Sequence, residues 1–107
     1  MSSKAPANGA TAGVAPRAIR HHAAASRFEW TEDGQLCVLD YVLSGNVAAF
    51  THTGVPASVG GRGIAADLVR TGLDTARAQG WKIQAVCSYV AAYVQKHPEY
   101  QDLLADA

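Results

Sequence analysis

The chain has 107 residues, of which 49% are hydrophobic and 17% are charged, and its formal net charge is zero. This length and composition predict a single domain with a packed core and exclude wholesale disorder. After residue 25, six basic residues stand against nine acidic residues. Nucleic-acid binding is therefore disfavoured, because it requires a basic surface.

Cysteine content and hydropathy bear on the cellular compartment. Cys37 and Cys87 are far apart and lack the CxxC spacing of a metal or redox pair. A secreted disulfide scaffold normally carries more cysteines than this. No apolar run approaches the length of a membrane span, and the N-terminus lacks the apolar core of a secretory signal. We therefore expect a cytoplasmic protein with no metal and no membrane partner.

Residues 1–25 are dominated by Ala, Gly, Ser and Pro. Such a segment cannot bury enough apolar surface to offset the entropy lost on ordering. We therefore predict a flexible N-terminal tail and a folded domain over residues 26–107, and expect removal of the tail to change stability little. An organellar transit peptide is the alternative, because the segment is basic and free of acids, although arginine is sparse.

Three strands are predicted in the first half of the domain. The first starts near Phe28, and residues 36–43 and 47–52 are rich in β-forming residues. A Glu-Asp-Gly turn and a Ser-Gly-Asn turn separate them. Consecutive strands joined by short turns indicate an antiparallel meander.

The second half changes to a helical pattern. Apolar residues recur at helical spacing from Ile64, and Gly80 is placed to end this helix. Residues 81–86 predict a short strand, and Ser88 can cap a second helix that ends before Pro98. The order βββ–α–β–α predicts an α+β fold with a mixed sheet, in which the meander is followed by a β-α-β crossover and a C-terminal helix.

A glycine-rich loop precedes the long helix: Gly60, Gly61, Arg62 and Gly63. Glycines let the backbone turn tightly, and the free N–H groups at the helix start, near Ile64 and Ala65, suit an anion. Arg62 would add a mobile cation. A loop that only reverses the chain is the alternative. No Gly-Lys-Ser/Thr follows, as a Walker loop requires, and a dinucleotide-binding loop would need glycine at Ala66.

The loop resembles the pyrophosphate-binding motif of GNAT acetyltransferases, (Arg/Gln)-x-x-Gly-x-(Gly/Ala). Gly63 and Ala65 fill its last two defined positions, and Gly60 stands where the family usually has Arg or Gln. Because the loop binds phosphate mainly through backbone amides, this departure should weaken affinity rather than abolish it. Further motifs that resemble the minimal, YidJ-like branch of the family follow in order along residues 28–105, in segments 52–56, 61–65, 76–81, 87–90 and 97–100.

The resemblance implies an N-acetyltransferase whose co-substrate is acetyl-coenzyme A. This molecule would lie where two parallel strands, roughly 46–55 and 82–87, splay apart. The first strand would pair with the pantetheine arm, and the loop would hold the pyrophosphate. The implied coenzyme-binding residues are Thr53, Gly54, Val55, Gly60, Gly61, Arg62, Gly63, Ile64 and Ala65.

Cys87 and Tyr93 are the candidate catalytic residues. The resemblance places Cys87 opposite the thioester, where it would line the acetyl pocket or accept the acyl group as a nucleophile; a buried, inert cysteine is the alternative. Tyr93 could protonate the departing thiolate or merely pack against the sheet. His52 could act as a base, although packing is the simpler role for both His52 and His97.

The favoured function is acetyl transfer from acetyl-coenzyme A to a primary amine of unknown identity, by direct attack in a ternary complex. A coenzyme A-binding regulatory or interaction module with little turnover is the alternative, because so short a chain omits elements that cover the acceptor in larger relatives. A purely structural domain would require the whole motif series to be coincidental.

Overall fold

The computed structural model describes residues 17–105. Its strands are β1 Arg20–His22, β2 Arg27–Glu32, β3 Gln35–Ser44, β4 Val47–Gly54 and β5 Lys82–Ala85. Its α-helices are α1 Ile64–Gln79 and α2 Ser88–Lys96, and short 3-10 segments span Ala23–Ala25, Ala57–Val59 and Pro98–Leu103. None of the helices within residues 17–105 has the length and apolarity to cross a membrane.

The five strands form one sheet in sequence order. The pairs from β1 to β4 are antiparallel, and β4 and β5 are parallel. The β2–β3 hairpin turns through Asp33 and Gly34, which both have positive φ, as a two-residue turn that matches the strand twist requires. The predicted mixed sheet, with a meander followed by a β-α-β crossover, is confirmed.

Helix α1 packs its apolar side on the sheet. Leu68, Val69 and Leu73 are fully buried in one core with Leu39 and Phe50. The predicted end of the helix is also confirmed, since it stops at a glycine, residue 80, in the left-handed conformation.

Gly72 allows the close approach of α1 to the sheet. A Cβ atom at this position would lie 2.8 Å from Leu39 Cδ2 and 2.9 Å from Phe50 Cε2. These distances are shorter than van der Waals contact, so the absence of a side chain sets how near the helix lies to β3 and β4.

The predicted start of the domain at residue 26 falls too late. The segment Arg20–His22 is a strand, and His21 pairs with Phe28 of β2. The ring of His21 stacks on Phe28 with a centroid distance of 4.4 Å, and its Nε2 lies 2.7 Å from the hydroxyl oxygen of Tyr41. Aromatic packing thus orders a segment whose composition predicted a tail. Residues 1–16, the remainder of that predicted tail, lie outside the described residues.

Helix α2 begins one residue earlier than predicted. Ser88 is already its first helical residue, Cys87 is the N-cap, and no side chain caps the helix. The helix ends at Lys96, before Pro98, as the proline predicted.

The C-terminal 3-10 segment is fastened to α1 and β5. The hydroxyl of Tyr100 donates a 2.7 Å hydrogen bond to Asp74, and Arg77 donates to both carboxylate oxygens of Asp102 at 2.8 and 2.9 Å. Beyond it, the N–H of Ala105 donates to the carbonyl of Ile83 in β5. These contacts hold β5 in place beside β4.

Candidate functional site

The pairing between β4 and β5 stops halfway along β4. Phe50 and Ala85 are the last paired residues, followed by one hydrogen bond from the N–H of Cys87 to the carbonyl of Phe50 at 2.9 Å. Beyond this point β4 pairs only with β3 among the described residues. Its other edge therefore exposes main-chain donors and acceptors that an extended ligand can use.

A β-bulge lies where the two strands part. Tyr41 pairs with Phe50 and Asp40 pairs with His52, so Thr51 is an extra residue in β4. Bulges bend a strand and increase its twist. Thr53 pairs with the buried Leu39. Paired residues share a face of the sheet, so the side chain of Thr53 lies on the face that the helices cover.

The glycine-rich loop has the backbone of an anion site. Gly61 and Gly63 have φ of +77° and +81°, and Gly63 is the N-cap of α1. The first helical bond runs from the N–H of Asp67 to the carbonyl of Gly63 at 3.1 Å. The N–H groups of Ile64, Ala65 and the next residue therefore have no intrahelical acceptor and lie at the positive end of the helix dipole.

Gly60 differs from its neighbours in the loop. Its φ of −69° and ψ of 160° are open to any residue. A Cβ there would lie 3.3 Å from the carbonyl oxygen of Ala57, a tight contact that a small shift relieves. The backbone therefore does not require glycine at the position where the family motif has Arg or Gln.

Arg62, predicted as a mobile cation, is paired with two carboxylates in the structure. Its Nη1 donates to Glu32 Oε2 at 3.1 Å and to Asp33 Oδ2 at 2.8 Å. Hydrogen bonds with Asp33 and then Glu32 raise the pKa of the Arg62 guanidinium above its ordinary value. The side chain thus fastens the loop to the β2–β3 turn, a contact across 30 positions of sequence.

Cys87 lies half-buried at the point where the strands part. Its Sγ is 3.5 Å from Thr53 Oγ1. Burial raises the pKa of the Cys87 thiol, but hydrogen bonds from Thr53 and from the N–H groups of Val90 and Tyr89 outweigh burial and leave the pKa below its ordinary value. The Thr53 hydroxyl, together with the helix start, thus shifts Cys87 towards the thiolate, the reactive form of cysteine. Cys37, in contrast, is fully buried, and burial raises its pKa.

Tyr93 lies on α2, six positions after Cys87. This spacing places the two residues about 9 Å apart along a helix axis and on different sides of it. The ring of Tyr93 stacks on His97 with a centroid distance of 4.1 Å, and burial raises the pKa of its hydroxyl. Tyr93 is therefore a protonated phenol at neutral pH, packed between α2 and the C-terminal segment.

His52 lies on the sheet face opposite the helices. It is exposed, and its Nε2 lies over Gly54, where a Cβ would be only 3.0 Å away. The imidazole therefore lies over the last residues of β4 and reaches solvent, which a core histidine would not do.

Comparison with known proteins identifies the family. The family model of GCN5-related N-acetyltransferases matches residues 27–103. The chain belongs to this family. The GCN5-related fold is also found in a solution NMR structure from Staphylococcus aureus, of a GCN5-like protein whose N-acetyltransferase activity is itself a proposal. That structure matches with a TM-score of 0.66 and 26% identity, over 88% of this chain and 93% of the other. No curated protein sequence matches significantly.

These comparisons confirm the predicted GNAT fold and family, whereas the YidJ-like branch stays a prediction. Members of the GCN5-related family use acetyl-coenzyme A as co-substrate, and the loop and the open strand edge fit such a molecule. Within residues 17–105 no group of three or more His, Cys, Asp or Glu side chains could hold a metal ion. A cavity of about 340 Å³ lies elsewhere, beneath α2 between Ala85 and Leu104.

Proposed function

We propose that this protein transfers the acetyl group of acetyl-coenzyme A to a primary amine by direct attack in a ternary complex. The supporting observation is that residues 55–63 connect the unpaired edge of β4 directly to the N-terminus of α1, whose first N–H groups are free. The pantetheine arm would pair with Thr53, Gly54 and Val55. The diphosphate would lie on the N–H groups between Gly60 and Ala65.

Three side chains would serve the chemistry around the thioester. Cys87 would line the acetyl pocket at the point where the strands part. His52, exposed over the last residues of β4, would take the proton from the amine. Tyr93, farther along α2, would return a proton to the departing thiolate through a bridging water. Backbone N–H groups of β4 would polarise the thioester carbonyl and stabilise the oxyanion that forms on attack.

Direct attack is preferred to an acyl-enzyme because of the surroundings of Cys87. Its side-chain partner is Thr53, and no imidazole or carboxylate within residues 17–105 is hydrogen-bonded to its sulfur. A covalent mechanism normally uses such a base to activate the nucleophile. The lowered thiol pKa keeps the covalent route chemically open, so the choice is tested below.

The proposal is tested by binding and turnover together. Acetyl-coenzyme A should raise the melting temperature, because a ligand at 100 times its dissociation constant adds about 2.7 kcal/mol to the unfolding free energy. Release of free coenzyme A thiol should depend on an added amine, assayed with a polyamine, a lysine peptide, a peptide N-terminus and an aminoglycoside. Absence of binding would contradict the proposal. The reducing cytoplasm is the proposed compartment, because Cys37 and Cys87 are both free.

A coenzyme A-binding module with little turnover is the second candidate. It is favoured by the loop, where Gly60 provides no cation and Arg62 is occupied by Glu32 and Asp33. Binding without thiol release for any amine in the panel would favour this candidate. Gly60→Gln should then raise acetyl-coenzyme A affinity several-fold, since the extended backbone accepts a side chain and the amide adds a donor. Weaker binding in this variant would show that the contact with Ala57 does not relax.

A further inference from the structure

Arg17, just ahead of β1, reaches across to the glycine-rich loop. Its Nη2 donates a 2.8 Å hydrogen bond to the carbonyl oxygen of Arg62, 45 positions away. Its Nη1 pairs with Asp67 in the first turn of α1, and its Nε lies 3.6 Å from Glu32. The side chain is only 19% exposed. One guanidinium therefore joins β2, the loop and α1.

The bond to the Arg62 carbonyl also fixes the direction of an N–H group. Because a trans peptide is planar, the C=O of Arg62 and the N–H of Gly63 point in opposite directions. This peptide rotates about ψ of Arg62 and φ of Gly63. Gly63 has no side chain and a positive φ, so on its glycine side the chain offers little resistance to that rotation. Holding the carbonyl on Arg17 turns the Gly63 N–H away from Arg17, and this N–H donates to no backbone carbonyl within residues 17–105.

Arg17 also offsets a charge that would oppose an anion. Asp67 is the acidic residue in the first turn of α1, where its charge would repel a phosphate bound at the helix start. Arg17 pairs with this carboxylate from one side, and Arg70 bonds it at 3.0 Å from the other. The Asp67 carboxylate thus holds the Arg17 guanidinium in place, and the two arginines neutralise the charge of the carboxylate.

We propose that Arg17 is a positioning residue for the coenzyme site, which holds the Arg62–Gly63 peptide so that the Gly63 N–H faces the diphosphate. The identity of the ligand rests on the proposed function, whereas the orientation of the peptide does not. Arg17 lies outside residues 27–103, the segment matched by the family model, so it is not part of the family motif in the loop.

The first experiment titrates acetyl-coenzyme A into wild-type protein, Arg17→Met, Arg17→Lys and the matched control Arg20→Met. Loss of a hydrogen bond from a charged donor should weaken binding by Arg17→Met about tenfold. Arg17→Lys should show most of this loss, because one ammonium does not reproduce the fork that contacts two acceptors. Arg20→Met, in β1, should bind as the wild type does. Unchanged affinity in Arg17→Met would overturn the proposal.

A double variant separates two effects of Arg17: its hydrogen bond to the Arg62 carbonyl and its neutralisation of the Asp67 charge. Arg17→Met combined with Asp67→Asn lacks both the guanidinium and the carboxylate that it offsets. Binding that stays weak supports the proposal, whereas recovery to wild-type affinity would overturn it, because charge alone would then explain the loss. In turnover, the effect should appear as a raised KM for acetyl-coenzyme A with kcat retained.

The amide of Gly63 provides a test that needs no ligand. In ¹⁵N relaxation-dispersion NMR of the free protein, Arg17→Met should show exchange at Gly63 that is absent from the wild type and from Arg20→Met. Identical behaviour in all three proteins would overturn the proposal. If the wild type does not bind acetyl-coenzyme A, the proposed function fails and this measurement alone decides the role of Arg17. Retained β1 amide shifts check that each variant keeps its fold.

Discussion

Gly72→Ala tests how tightly α1 packs on the sheet. The added methyl group would meet Leu39 Cδ2 at 2.8 Å, Phe50 Cε2 at 2.9 Å and Phe50 Cζ at 3.1 Å. Leu39 and Phe50 are both fully buried, so neither side chain has free space into which to move. The helix itself must therefore shift away from β3 and β4, and it carries the glycine-rich loop at its N-terminus.

Two opposing effects determine how much Gly72→Ala changes the free energy of unfolding. Overpacking of a close-packed core by one methyl group costs about 1–3 kcal/mol, whereas alanine is better than glycine inside a helix by about 1 kcal/mol. Because two buried side chains are contacted at once, we take the upper part of the first range. The free energy of unfolding should fall by about 1–2 kcal/mol, which corresponds to roughly 5–15 °C in melting temperature for a domain of this size.

Urea denaturation, followed by tryptophan fluorescence, measures this change. Gln79→Ala, at an exposed helical position, is the control and should stay within about 0.5 kcal/mol of the wild type. In a Phe50→Leu background, which removes the two ring contacts, Gly72→Ala should cost less than it does alone. Equal or greater stability of Gly72→Ala in the wild-type background would refute the reasoning, because α1 would then move off the sheet without cost.

Three further predictions concern the site and the pH dependence of stability. Gly63→Val should abolish the stabilisation by acetyl-coenzyme A, because valine is strained at the φ of +81° and the loop backbone must change. A Cβ there meets no atom within 4 Å, so the strain should stay within the loop, at a cost of about 1–3 kcal/mol, and the free protein should stay folded. Thermal shift and circular dichroism check this, and retained binding would contradict the loop assignment. Cys87→Ala should keep substantial turnover, and a labelled thioester on Cys87 that forms and decays at the turnover rate would disprove direct attack. Burial, together with the hydrogen bond to Asp74, raises the pKa of Tyr100 to about 12. Since an unfolded tyrosine ionises near pH 10, this stabilisation of about 3 kcal/mol is present below pH 10 and is lost as pH rises towards 12. Urea titrations at pH 9 and 11 should show a larger fall in the unfolding free energy for the wild type than for Tyr100→Phe, by about half of this amount, since ionisation of Tyr100 is only partly complete at pH 11. Tyr93, whose pKa is also raised, contributes equally to both proteins.

Local sequence signals predicted most of the elements. The turn glycines, the helical periodicity from Ile64 and the stop at Gly80 are each decided by nearby residues, so the order of strands and helices followed from them. β1 was missed because its order depends on His21 stacking on Phe28 and bonding to Tyr41, which are contacts with other strands. Composition reports the apolar content of a segment but not the partners that it meets.

In the candidate site, too, features set by nearby residues could be predicted, whereas features set by contacts between distant residues could not. The loop could be located from its glycines, because free N–H groups at a helix start are a local property. The pairing of Arg62 with Glu32 and Asp33 could not be predicted, because these residues are 30 and 29 positions away. The reach of Arg17 could not be predicted either, because its partners lie up to 50 positions away. The thiol pKa of Cys87 likewise depends on Thr53 from another strand. Side-chain chemistry at the site is therefore set by the tertiary fold.

The extra residue in β4 has a consequence for the thermodynamics of ligand binding. Beyond Thr51, β4 continues to pair with β3. The extra residue shifts this part of β4 by one position, so its main-chain groups no longer continue the pattern of the β4–β5 pairing that ends at Phe50 and Ala85. The opening is therefore built into the covalent chain and does not arise from separation of two paired strands. A ligand entering it breaks no main-chain pairing between β4 and β5, so the receptor is preorganised and little binding energy is lost to rearrangement. Association should accordingly proceed at the rate of a simple docking encounter, without a slow conformational step.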